Sequence, residues 1–390
     1  MNRLPFGLFA ALLLLCLSAC GAQPQQQPTP PAAEEPAPVQ EAEETPPAPT
    51  AEELAAQAVE DLLASMTLEE KVGQLFFVRC PADGAVEDVS AYHLGGYILF
   101  GRDTKDKTAN ELIQTIQHYQ DAASIPLLMG VDEEGGTVVR LSSNPHLRSE
   151  KFASPQRLYA LGGIERILAD TREKDVLLHA LGFNVNLAPV ADVSTDPGDF
   201  IYARAFGRDA AATADYVSAV TGRMRTDAMG SVLKHFPGYG SNADTHTGIA
   251  VDDRPYEEFV NSDFLPFLAG MAAGGDTAAV LVSHNIVDCM DASLPASMSP
   301  AVHRVLREEL GFDGVVMTDD LAMDAVAAYA GDGSVAVMAL QAGNDLVLTT
   351  DYRTQIPKVL EAVENGTLSM DRVDESCRRV LTWKQNLGLL

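Results

Sequence analysis

Basic residues are scarce in this 390-residue chain: 27 Lys and Arg against 55 Asp and Glu give a formal charge of −28. Nucleic acid is excluded as a partner, because no basic stripe is present to meet phosphates. Cysteine is thin as well. The five residues form no Cys-x-x-Cys or Cys/His pattern, so a zinc site has no ligand set. Cys80, Cys289 and Cys377 remain once the N-terminal Cys16 and Cys20 are set aside, which leaves room for one disulfide at most and makes buried thiols the default reading. The apolar stretch from Phe6 to Leu17 is too short for a comfortable membrane span. No Gly-x-Gly-x-x-Gly follows the first strand-like run, which removes the main support for a dinucleotide fold. Repeats of solenoid period are also lacking.

What is there begins with a targeting segment. Arg3 precedes the apolar stretch, and Leu17-Ser18-Ala19-Cys20 looks like a bacterial lipobox. Residues 1–19 are therefore expected to be a lipoprotein signal peptide, with Cys20 carrying the lipid. Residues 20–53 are rich in Pro, Gln, Ala and Glu and hold almost no large apolar side chains. Such a stretch cannot bury enough surface to offset its ordering entropy, so it reads as an extended tether. Together these features predict an exported cell-envelope lipoprotein whose globular part, 54–390, is a single domain held off a membrane surface.

Apolar runs of strand length recur at 74–78, 96–100, 126–131, 184–188, 231–234, 278–283, 314–318 and 345–348. They do not alternate, as expected of strands covered on both faces. Helical patterns at 110–123, 211–228, 256–273 and 301–310 lie between them. Repeated βα units give an α/β fold with a parallel sheet, satisfied by a doubly wound sheet or a barrel. The count of eight favours a TIM-like (β/α)8 barrel. So does the gathering of polar residues at run ends: Asp132, Asn186 and Asp192, Lys234 and His235, His284 and Asn285, Asp319 and Asp320.

One stretch stands out. Lys234-His235-Phe236-Pro237-Gly238-Tyr239-Gly240 ends a core strand on a cation and an imidazole, and Asp244-Thr245-His246 follows in a polar loop. A buried cation without a partner is expensive, so the residues either form a solvated turn or belong to a site. This stretch closely resembles the signature of family 3 glycoside hydrolases, in their β-N-acetylhexosaminidase branch. That pattern reads Lys-His-Phe-Pro-Gly-His-Gly, four residues, then Asp-Ser-His. Here Tyr239 replaces His, Thr245 replaces Ser, the spacer is one residue shorter, and Ala250 stands where Pro is common.

Three further blocks follow the family. Residues 314–323, Gly-Val-Val-Met-Thr-Asp-Asp-Leu-Ala-Met, resemble its nucleophile motif and place the nucleophile on Asp319. Helix capping is the bland alternative, better suited to Asp320. Residues 130–141, Gly-Val-Asp-Glu-Glu-Gly-Gly-Thr-Val-Val-Arg-Leu, imply Asp132 as a ligand of sugar hydroxyls and Arg140 as its brace. Here Glu133 stands for the usual Gln and Thr137 for the usual Arg. Ala203-Arg204-Ala205-Phe206-Gly207 adds Arg204 to Lys234 and His235 as sugar ligands. Asp192 is as well read as a structural partner as a ligand.

The resemblance implies a retaining exo-β-N-acetylglucosaminidase acting on peptidoglycan-type fragments. His246 is its acid/base, oriented by Asp244, and no metal or cofactor is implied. An imidazole titrates near neutrality, which suits a group that must give and take a proton. A monomer is expected. Three alternatives stay open: a phosphorylase in which phosphate replaces water, a β-glucosidase on the same fold, and a sugar-binding lipoprotein without turnover.

Overall fold

The computed structural model describes residues 48–242, 250–322, 326, 329 and 333–390. The expected signal peptide, Cys20, nearly all of the tether, Asp244 and His246 lie outside the described residues. The first described helix, Ala51–Ser65, opens on a capping box in which the Thr50 hydroxyl accepts from the Glu53 amide and Glu53 reaches back to the Thr50 amide. Thr67 with Glu70 and Thr108 with Glu111 start Leu68–Gln74 and Ala109–Asp121 in the same way.

The strands are β1 (Phe77–Arg79), β2 (Gly96–Leu99), β3 (Leu128–Val131), β4 (Val185–Asn186), β5 (Gly230–Phe236), β6 (Val251–Asp252), β7 (Ala278–Val282), β8 (Ile286–Val287) and β9 (Val316–Thr318). Seven form one parallel sheet in the order β1-β2-β3-β4-β5-β7-β9, while β6 and β8 make a small parallel pair. Seven of the eight predicted runs are thus strands, displaced by up to three residues at their ends.

The eighth, 345–348, differs. It makes isolated parallel bridges, Phe76 with Val347 and Met317 with Leu346. The fold is a curled seven-stranded parallel sheet wrapped by helices, not a regular eight-stranded closed barrel. Asp345 supplies the reason. Its carboxylate accepts the Val316 amide at 3.0 Å, so a side chain does the work of a ladder carbonyl at the start of the run. The same carboxylate holds Arg307 and Arg372, each at 2.5 Å, and Arg379 at 3.3 Å.

Strand parity builds two cores. Phe77, Ile98, Leu128, Val185, Val232, Ala279, Leu281, Met317, Leu346 and Leu348 point to the inside of the curled sheet, where Trp383 of the last helix, Met370–Asn386, and Leu387 just after it join them. Their sequence neighbours, among them Phe76, Tyr97, Met129, Leu233, Val280 and Val347, face the surrounding helices. Inside space is short: a Cβ on Gly130 would meet the Phe77 ring at 2.3 Å. The Trp383 indole donates to the Thr277 carbonyl just before β7, so the last helix covers the N-terminal ends of the strands. The opposite ends carry the polar residues. Cys80, Cys289 and Cys377 are free thiols.

The predicted helices at 110–123 and 211–228 appear as Ala109–Asp121 and Ala210–Thr226. The predicted 256–273 and 301–310 each include a wider π-turn, at Phe259–Asp263 and Val305–Glu309. The β6/β8 pair has no counterpart in the sequence reading, because two residues per strand show no periodicity.

Candidate active site

The C-terminal end of β3 delivers Asp132, Glu133 and Glu134 in succession, and alternation sends them to different neighbours. Asp132 accepts a hydrogen bond from Lys234 Nζ at 2.7 Å and lies 3.8 Å from Arg140 Nη2. Glu133 is fully buried. Its carboxylate accepts the amides of Arg140 and Leu141, both at 2.8 Å, and the hydroxyl of Ser142. Glu133 thereby folds the loop back so that Arg140 returns to Asp132, which gives the replacement of Gln by Glu a structural role. The Arg140 guanidinium also sits 5.3 Å from the centre of the Phe100 ring.

Glu134 is the electrostatic hub. Lys234 Nζ approaches it at 2.6 Å, and Arg204 reaches it through Nε at 3.1 Å and Nη2 at 2.8 Å. Burial alone would push the Glu134 carboxyl up, yet the two cations override it and hold the group far below the usual carboxylate range. Lys234 is buried in turn. Desolvation works against its charge, but Asp132 and Glu134 outweigh that and raise its affinity for the proton. The cation that looked unaffordable in a core strand therefore has two carboxylate partners.

His235 follows Lys234 across a cis peptide bond. Its Nε2 lies 3.1 Å from Arg204 Nη2, and its Nδ1 lies 2.7 Å from Asp192 Oδ2. Arginine can only donate, so Nε2 accepts and Nδ1 carries the proton given to Asp192. Asp192, wholly buried, also accepts the His235 amide at 3.2 Å and the Tyr239 amide at 2.8 Å. Its place is that of an orienting partner. The Tyr239 ring stands edge-on to His235 at 5.2 Å and meets Phe200 at 5.8 Å, so the residue that departs from the family pattern braces the imidazole.

Asp319 lies just beyond β9, half-buried. Its amide donates to the Val282 carbonyl at 3.1 Å, and its Oδ1 accepts the Asp320 amide at 2.8 Å. Asp320 behaves as a turn residue, accepting the Ala322 amide at 3.0 Å and the Thr350 hydroxyl at 3.1 Å.

The segment carrying Asp244 and His246 is flanked by described residues that meet at one carboxylate. Asn242 Nδ2 donates to Asp252 Oδ2 at 2.7 Å, and Arg254 Nη2 donates to the same oxygen at 2.8 Å. Arg254 then spans to Asp263 at 3.0 Å. Burial pushes the Asp263 carboxyl up to about 6, against the pull of Arg254.

The structure thus brings Asp132, Arg140, Arg204, Lys234 and His235 into one continuous network at the ends of β3 to β5. Asp319 stands two strands on in the same sheet. Sequence reasoning missed Glu134 as the hub, although it lay inside a quoted block and a carboxylate was owed to the buried Lys234. It also missed the Asp252–Arg254–Asp263 knot, for which the i, i+2 pair was a faint signal. Among the described residues no group of three or more His, Cys, Asp or Glu side chains is placed to hold a metal ion.

A parallel α/β sheet with a dense charged and hydrogen-bonding cluster at the C-terminal ends of its strands is the layout of an enzyme for a polar small molecule. The chain belongs to glycoside hydrolase family 3. Residues 67–383 match the family described as "Glycosyl hydrolase family 3 N terminal domain". The chain is 34% identical over 337 residues to beta-hexosaminidase LpqI of Mycobacterium tuberculosis, covering 82% of this chain and 84% of that protein. It is 32% identical over 287 residues to a beta-hexosaminidase of Nitrosomonas eutropha, covering 70% of this chain and 78% of that protein. Among solved structures, a family 3 beta-N-acetylglucosaminidase from Paenibacillus sp. str. FPU-7 superposes with a TM-score of 0.77 at 32% identity. That match covers 83% of this chain and spans 63% of the Paenibacillus chain. M. tuberculosis LpqI superposes with a TM-score of 0.74 at 30% identity, covering 83% of this chain and 95% of that one. The protein is a glycoside hydrolase.

Proposed function

We propose that the chain is a retaining exo-β-N-acetylglucosaminidase that removes terminal β-linked N-acetylglucosamine from peptidoglycan-type fragments. The observation that carries the reading is the Asp132–Lys234–Glu134–Arg204–His235 network at the same sheet ends as Asp319, because charged, fixed donors and acceptors are what a sugar's hydroxyls need. The names of the LpqI and Paenibacillus relatives support the N-acetylated sugar.

In the first step an Asp319 oxygen forms a bond to the anomeric carbon as the glycosidic C–O bond breaks. His246, oriented by Asp244, gives its proton to the leaving oxygen. In the second step His246 takes a proton from water, the water oxygen attacks the anomeric carbon, and Asp319 leaves with the β configuration restored. Asp132, Lys234, His235 and Arg204 face the sugar hydroxyls, with Arg140 bracing Asp132. The 345–348 segment serves as the eighth stave of a TIM-like barrel. Cleavage before Cys20 and lipidation of its sulfur would anchor a monomeric domain in the cell envelope, where wall fragments are at hand.

Release of p-nitrophenol from its β-N-acetylglucosaminide by the soluble domain, beside Asp319→Asn and His246→Ala, tests the reading. Turnover abolished in the first and crippled in the second supports the roles. Undiminished turnover in Asp319→Asn sinks the mechanism, and sugar-1-phosphate as the product in phosphate buffer would make the protein a phosphorylase.

A further inference from the structure

His284 lies just past β7, wholly buried, one strand from the sugar-facing network on β5 and next to β9. Its Nδ1 is 2.7 Å from the Ser297 hydroxyl, and its Nε2 is 3.2 Å from the Asp320 backbone carbonyl. A carbonyl can only accept, so Nε2 carries a proton aimed at it. In the neutral ring Nδ1 then accepts from the Ser297 hydroxyl. Ser297 is itself fixed: its amide donates to the Ser283 carbonyl at 3.0 Å, and its carbonyl accepts Asn344 Nδ2 at 2.7 Å. One tautomer and one ring orientation are therefore held from behind.

The carbonyl that His284 grips belongs to the peptide unit joining Asp320 to Leu321, whose amide donates to the Leu348 carbonyl at 2.9 Å. Both polar ends of that unit are thus held. The peptide before it carries the Asp320 amide, which donates to Asp319 Oδ1 at 2.8 Å. Rotation of the turn would move that amide and swing the Asp319 carboxylate with it. Asp319's own amide is tied to Val282 on β7, the strand that leads into His284.

We propose that His284 is a positioning residue for the glycosylation step, setting the direction of the Asp319 carboxylate by fixing the Asp320 carbonyl. The inference rests on Asp319 as nucleophile. It requires no change in the charge of His284 and no contact with substrate. The proton on Nε2 is the working part; the ring's bulk is not.

Two substitutions separate these. Gln at 284 places an amide N–H near the position of Nε2 and can keep the grip on Asp320. Asn is shorter, reaches about as far as Nδ1, and can satisfy Ser297 alone. With the p-nitrophenyl β-N-acetylglucosaminide as substrate, His284→Asn should lower kcat by about 10²-fold with KM and Tm near the wild-type values, since small misplacements of a reacting group have effects of that size. His284→Gln should keep kcat within several-fold. Equal kcat in the two variants, or losses that follow Tm, overturns the proposal. If His284→Asn does not fold, Ser297→Ala gives the same readout: removing the lock on the ring should lower kcat at constant KM, and an unchanged kcat overturns the proposal. Asp319→Asn is measured alongside. Activity there would remove the nucleophile reading itself, whereas an inactive Asp319→Asn beside a fully active His284→Asn removes the positioning role alone.

Discussion

Lys384 offers a sharp quantitative test of the packing. It sits on the last helix, Met370–Asn386, with no exposed surface, and its Nζ donates to Gln74 Oε1 at 2.6 Å. Gln74 is neutral, and the nearby Cys377 is a buried thiol whose own pKa is pushed up to about 12 by burial. Among the described residues nothing comparable to the paired carboxylates around Lys234 stands here, so desolvation pushes the Lys384 ammonium down from 10.5 to about 7. Between these values the unfolded chain holds a proton that the folded one releases, so stability rises with pH across that window and is lowest below its bottom. At 1.36 kcal/mol per unit, the full window is worth about 5 kcal/mol, of which about 4 kcal/mol falls between roughly pH 6 and pH 10. Lys384→Met keeps the volume and removes the proton. Its stability advantage over wild type should shrink by that amount as pH rises, whatever constant offset follows from leaving Gln74 Oε1 without its donor. The single tryptophan, Trp383, is the neighbouring residue, so urea unfolding followed by its fluorescence reports directly. Curves for the two proteins that stay parallel within about 1 kcal/mol over this range would refute the claim that Lys384 is neutral in the fold.

Glu134→Gln leaves Lys234 and Arg204 without their shared carboxylate, and should lower the unfolding free energy by about 3–5 kcal/mol in urea titration, together with kcat/KM. Asp192→Asn turns one of two accepting oxygens into a donor facing an N–H, from His235 or Tyr239. A loss of about 2 kcal/mol with a raised KM is expected from denaturation and steady-state kinetics. Gly238 has φ +128°, and a Cβ there would lie 2.2 Å from Asp263 Oδ1. Gly238→Ala should therefore destabilise by about 2 kcal/mol or more by thermal unfolding, and wild-type stability would refute that geometry.

Much of this architecture was legible because each strand is a short, continuous apolar run ending in a polar group. β3 stops at Asp132, β5 carries Lys234 and His235, and β9 stops before Asp319; runs of this kind survive any choice of side-chain partner. The last run was misjudged because its first residue, Asp345, takes a backbone donor with its side chain, and periodicity cannot see such a substitution. Glu134 was hidden by adjacency. Three carboxylates in a row look alike in sequence, and strand twist assigns one to Lys234 and Arg140, one to a loop backbone and one to the paired cations. His284 was visible as a polar residue at a strand end, but the Ser297 hydroxyl and Asp320 carbonyl it touches lie 13 and 36 residues further along the chain, and no local pattern joins them.

The bridge between Phe76 and Val347 has a consequence for synthesis. A chain emerging from a ribosome offers β1 early, yet the partner on its open side arrives only when residues around 347 have appeared. Until then Phe77 and its neighbours of the inner core have one wall missing, and the Trp383 and Leu387 that cover the far end come later still. The sheet is therefore completed only when residues around 347 meet Phe76, so β1 to β9 must all emerge before the inner core is finished.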